Sequence, residues 1–113
     1  MNKPKTEKAV IEGGCAAECR SYAREHFGAA YAVVCDGNTE PIARRAFPGD
    51  ALIVFPAGSH ATEQAADGCI SRIKSDGLRG LIACGSGSVH DIARYAAHAE
   101  GIPVVSFPTA ASV

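Results

Sequence analysis

The sequence has no surplus of either charge: eleven Lys plus Arg face twelve Asp plus Glu, for a net charge of -1. A general binder of nucleic acid or of anionic membrane surface needs a basic excess, so neither partner is expected. Long apolar runs are lacking as well, since none approaches the roughly 18 residues of a membrane span. The start, MNKPKTEKAVIEGG, is basic but no apolar region follows, so it does not read as a signal peptide. Repeats, low-complexity tracts and long linkers are also missing. What remains is 113 residues, 47% apolar and 20% charged, which excludes the disordered and fibrous classes. That length makes one domain or a piece of one, burying roughly 65% of its unfolded surface without obligatory disulfide or metal staples.

The cysteines number five (Cys15, Cys19, Cys35, Cys69 and Cys84), an odd count in a chain without an export signal. Cys35 and Cys84 lie inside apolar runs, where a free thiol acts as a small hydrophobe. Cys15 and Cys19 share the i, i+4 spacing of a helix face, but no His or second Cys pair accompanies them. No metal ligand is therefore assigned in this chain. The thiols are expected to stay reduced, which places the protein in the cytoplasm.

What is there is a regular alternation. Residues 15–27 put Ala16, Cys19, Ala23 and Phe27 on one helical stripe, with Gly28 as the stop. Ala30 to Cys35 reads as a buried strand ending at Asp36-Gly37-Asn38. A short helix is expected from Pro41 to Ala46, capped by Asn38 or Thr39. Ala51 to Phe55 is a second strand, and residues 61–75 form a helix burying Ala65, Ala66, Cys69, Ile70 and Ile73 before Gly77. Gly80 to Cys84 is the third strand. A helix from Val89 to Glu100 follows, with Val89, Ile92, Ala93, Ala96 and Ala97 inward and Gly101 at its end. Ile102 to Phe107 is the fourth strand. Continuous apolar strands are buried on both faces, as in a parallel sheet covered by helices. The fold expected is α/β: an open, mostly parallel sheet with helices on both faces, Rossmann-like βαβαβαβ with right-handed crossovers.

Such sheets bind ligands at the carboxyl ends of their strands. The third of those ends, Gly85-Ser86-Gly87-Ser88, is the most informative. Two glycines permit a tight turn and close backbone approach, and the following helix N-terminus offers free N–H groups to a diphosphate. Ser88 is also a good N-cap, so a plain strand-to-helix turn accounts for the loop equally well. The third glycine of G-x-G-x-x-G is replaced by His90, so the standard dinucleotide fingerprint is not present. Asp36 reads either as a turn residue before Gly37 or as the acceptor of an adenosine ribose hydroxyl. Asp91, expected in the first helical turn, either complements the dipole or points into the cleft. His90 suits a general base by residue type, but a solvated side chain is the ordinary reading, so no catalytic residue is assigned. His26, His60 and His98 lack metal-ligand spacing.

The segment GLIACGSGSVHDIARYAAHAEGIPVVSFPTAASV, residues 80–113, resembles the N-terminal domain of sn-glycerol-1-phosphate dehydrogenases. These belong to the iron-containing alcohol dehydrogenase and dehydroquinate synthase-like superfamily. The resemblance rests on Gly-Ser-Gly-Ser-Val-His-Asp at 85–91 and Pro-Thr-Ala-Ala-Ser at 108–112, with VVCDGNT at 33–39 similar to the family's first-strand Asp turn. It is strong from residue 80 onward and looser before. It implies that Gly85, Gly87, Ser88, Val89, His90 and Asp91 form the diphosphate and nicotinamide-side loop. Thr109, Ala110, Ala111 and Ser112 would be a second cofactor contact, and Asp36 the adenosine-ribose partner.

The resemblance further implies NAD as cofactor, with NADP the alternative, and a phosphorylated triose or glycerol as substrate. In the family a second, helical domain holds zinc or another divalent metal, a Lewis acid on the reacting hydroxyl. The chain stops at Val113, before such a domain, so cofactor binding without complete catalysis is expected of residues 1–113, together with homo-oligomerisation through the uncovered cleft face. Glycerol dehydrogenase and dehydroquinate synthase share the sheet and the glycine loop and stay open as alternatives. So does a stand-alone nucleotide-binding or regulatory module without chemistry.

Overall fold

Apolar strand runs and amphipathic helices alternate along the chain and assemble into one parallel sheet covered on both faces. The computed structural model describes residues 7–10, 16–58, 60 and 62–109. In chain order the elements are β1 (Glu7–Val10), α1 (Ala16–Phe27), β2 (Tyr31–Asp36), α2 (Glu40–Ala46), β3 (Leu52–Phe55), α3 (Glu63–Asp76), β4 (Gly80–Gly85), α4 (Gly87–Glu100) and β5 (Val104–Pro108). The sheet order is β1-β5-β4-β2-β3, and every pairing is parallel. The open α/β sheet with helices on both faces is as expected. To the four expected strands it adds β1 as an edge strand, which four residues without an apolar run do not announce.

Period-two alternation along the central strands divides the core. Ala32, Val34, Leu81 and Ala83 face α3 and α4, packing on Cys69, Ile73, Val89 and Ile92. Val33, Cys35, Ile82 and Cys84 face α1 and α2, against Cys19, Ala23, Phe27 and Phe47. Both β2 and β4 are buried along their whole length, the burial expected of strands covered on both faces. The second expected strand departs from that pattern: β3 is an edge strand, and its Val54 is 41% exposed. Phe27 explains the glycine that opens β4, because its ring occupies the space a Cβ on Gly80 would need.

Helix ends follow local chemistry. Thr62 Oγ1 accepts the N–H of Ala65 at 3.1 Å and caps α3, which ends at Gly77 as the sequence suggests. Gly101 ends α4 in the same way. At the amino end of the strands, Asp50 accepts Tyr31 Oη at 2.8 Å and Arg20 Nε at 3.0 Å. This ties α1 to the entries of β2 and β3 and leaves the opposite end of the sheet for a ligand. Among the described residues no helix is long and apolar enough to cross a membrane.

Candidate functional site

The strand order creates a switch point between two neighbours. From β2 the chain moves outward to β3, whereas from β4 it moves the other way to β5. Connections that diverge like this leave a crevice at the carboxyl ends of the two strands. Asp36 ends β2 and Gly85 ends β4, so the two best sequence candidates border one crevice.

Asp36 is buried, and its carboxylate organises the β2 turn. Oδ1 accepts from Asn38 N at 2.9 Å, Thr39 N at 2.9 Å and Thr39 Oγ1 at 3.0 Å. The turn-residue reading is therefore realised. Oδ2 takes no hydrogen bond among the described residues and is the atom that remains for a ligand hydroxyl. Thr39, expected only as a cap for α2, gives that helix no side-chain cap. Its hydroxyl instead accepts Asp36 N at 3.0 Å and reaches toward the other strand end. A Cβ on Gly85 would sit 3.1 Å from Thr39 Oγ1 and 3.1 Å from Val89 Cγ2, at a φ of 156° that side chains rarely adopt.

The glycine loop differs from its expected form in one respect. α4 begins at Gly87 rather than Val89, so Ser86 is the N-cap residue and Ser88 lies inside the first turn. The Ser86 side chain makes no cap hydrogen bond, in contrast to Thr62 on α3. The leading N–H groups of α4 thus keep their donor capacity and the positive end of the helix dipole. A Cβ on Gly87 would meet nothing within 4 Å, so this glycine faces open space. An uncapped helix start beside an open glycine fits a diphosphate. Val89 is buried against Gly85 and offers the crevice its backbone only.

His90 is not the solvated side chain expected of a first helical turn. It is 9% exposed, with Nδ1 3.0 Å from Ser86 O and Nε2 2.7 Å from Ser106 Oγ. The early start of α4 moves Asp91 beyond the first turn, and it is exposed. Asp91 lines a recess of about 200 Å³ with Thr62, Glu63 and Tyr95, between α3 and α4. Thr109 is buried just past β5, while Ala110, Ala111 and Ser112 lie outside the described residues.

Two thiols stand directly behind the site. Burial pushes Cys35, next to Asp36, up to about 11, and Cys84, next to Gly85, up to about 12. Both are neutral packing groups at ordinary pH and supply no nucleophile. Cys15 lies outside the described residues, and among those described no three His, Cys, Asp or Glu side chains are grouped to hold a metal. Thr39 and Ser106 are the polar residues that sequence reasoning missed. The Asp-x-x-Thr spacing and a lone serine in an apolar strand were the available signals.

Residues 10–113 match the model of a family described as iron-containing alcohol dehydrogenase. The chain belongs to the iron-containing alcohol dehydrogenase family. A glycerol-1-phosphate dehydrogenase (NAD(P)+) of Pyrococcus horikoshii is 34% identical over 79 residues, 70% of this chain and 22% of that protein. One of Bacillus subtilis is 29% identical over 120 aligned residues, 96% of this chain and 30% of its own length. The chain thus spans less than a third of either relative. An iron-containing alcohol dehydrogenase of Corynebacterium glutamicum shares the fold, with a TM-score of 0.71 at 18% identity over 96% of this chain and 32% of that one. The family is one of oxidoreductases.

Proposed function

We propose that the chain is the cofactor-binding part of a dehydrogenase that interconverts dihydroxyacetone phosphate and sn-glycerol 1-phosphate. NAD is the proposed cofactor, with NADP as the alternative. Family membership and the names of the relatives support the reaction class and substrate. The observation that carries the cofactor assignment is the uncapped N-terminus of α4 beside Gly87, at the switch point of the sheet.

In this reading the N–H groups of Gly87, Ser88 and Val89 hold the diphosphate. Gly87 leaves room for it, and Asp36 Oδ2 accepts from the adenosine ribose. Thr109 borders a second contact that continues through Ala110, Ala111 and Ser112. The bound nicotinamide supplies the hydride chemistry, while the protein binds and orients it. No step is assigned to zinc or another divalent ion, because no ligand set for one is present among the described residues. A cytoplasmic setting and a homo-oligomer complete the proposal, supported by the buried, undisulfided thiols of Cys35, Cys69 and Cys84 and by the apolar edge strand β3.

The test is a map of NAD-induced shifts on the ¹⁵N-labelled chain. Changes centred on the amides of residues 36–39 and 85–91 are expected. Shifts centred on the recess beside Tyr95 would move the site elsewhere.

A further inference from the structure

His90 is the only buried histidine among the described residues, and it links the β4–α4 junction at Ser86 to Ser106 in the middle of β5. The carbonyl of Ser86 can only accept, so the assigned tautomer carries its proton on Nδ1 and donates over 3.0 Å. Nε2 is then an acceptor, and Ser106 Oγ–H donates to it over 2.7 Å. The same Ser86 carbonyl also accepts the backbone N–H of His90 at 3.0 Å. Ser86 is the single residue between β4 and α4 and has no side-chain cap of its own. The Ser86 carbonyl at that junction is thus held by an imidazole whose other nitrogen is anchored on β5. His26 differs, since its Nδ1 pairs with Tyr22 O and its ring contacts Tyr22 and Phe27, all on its own helix.

We propose that His90 is a positioning residue, a strut from Ser106 on β5 to Ser86 that fixes the N-terminal N–H groups of α4 in the geometry a diphosphate requires. The proposal rests on the cofactor reading above. It goes beyond that reading by moving His90 out of the set that touches cofactor and by recruiting Ser106, a residue on the neighbouring strand. A hydrogen bond made to a fixed anion is lost by small displacements, so the strut acts on affinity through geometry.

Two readouts test it on the full ¹⁵N-labelled chain. Without ligand, H90A and S106A should each shift the amides of Gly87, Ser88 and Val89, and the double variant should shift them no further than H90A. Unmoved loop amides in a folded H90A would overturn the strut whether or not NAD binds. With NAD, H90A and S106A should each weaken affinity by about tenfold, the order of one lost buried hydrogen bond. The double variant should match H90A, and His90→Gln, whose amide can reach Ser106, should recover part of the loss. Full additivity, or no recovery, would contradict action through Ser106. Failure of the unaltered chain to bind NAD, with the amide shifts present, would instead count against the cofactor reading and leave the strut standing.

Discussion

The hydroxyl of Thr39 rests against Gly85, so that a Cβ on the glycine would lie 3.1 Å from Thr39 Oγ1. The β2 turn and the β4 turn are thereby meshed at the mouth of the crevice. Gly85→Ala should destabilise the fold by about 1–3 kcal/mol, from an unfavourable φ together with this contact. Urea unfolding measures it, and a midpoint equal to the parent's would show that the two turns are not in register as described.

Gly87 makes the opposite case. A side chain there meets open space, so Gly87→Val should leave the unfolding midpoint nearly unchanged while abolishing detectable NAD binding. Retained affinity would remove the α4 start from the site.

Asp36 separates two roles by its two oxygens. Asp36→Ala deprives Asn38 N, Thr39 N and Thr39 Oγ1 of their acceptor and should cost about 1–3 kcal/mol of stability. Asp36→Asn keeps an acceptor and removes the charge. It should narrow the proposed preference for NAD over NADP, which repulsion of a 2′-phosphate by the carboxylate would put at several-fold to about a hundredfold. An unaltered ratio of the two affinities in Asp36→Asn would exclude the carboxylate from cofactor choice.

The buried thiols predict an alkaline limit. A thiol ionises near 9.0 when unfolded, whereas burial raises Cys35 and Cys69 to about 11 and Cys84 to about 12. Between those values the folded chain retains protons that the unfolded chain has lost. Stability should therefore be full below pH 9 and fall as pH rises toward 11–12, by about 1.4 kcal/mol per pH unit for each thiol. Chemical unfolding at pH 8 and pH 10 checks the slope, and equal stability at both would contradict it. Labelling of Cys19, Cys35, Cys69 or Cys84 in the native chain by a thiol reagent would contradict their burial.

Most of the architecture is legible in residue order because its signals are local. Apolar runs at 31–35 and 81–84 alternate between the two cores, and Gly77 and Gly101 end helices where they should. β1 escapes because Glu7–Val10 has neither length nor an apolar run, and its place comes from pairing with β5. The edge position of β3, and with it the exposure of Val54, is a property of strand order rather than of the LIVF run. At the site, Asp36 and the glycine loop are readable as strand-end punctuation. The burial of His90 is not, because its partners Ser86 and Ser106 come together only when α4 folds onto β5. The start of α4 differs by two residues because Ser86, rather than the expected Ser88, occupies the N-cap position.

Calorimetric titration of the chain with NAD, and then with NADP, tests the central claim most directly. Saturable one-to-one binding that favours NAD is the predicted result. Absence of binding by either nucleotide would contradict the assignment of the β2–β4 crevice as a cofactor site.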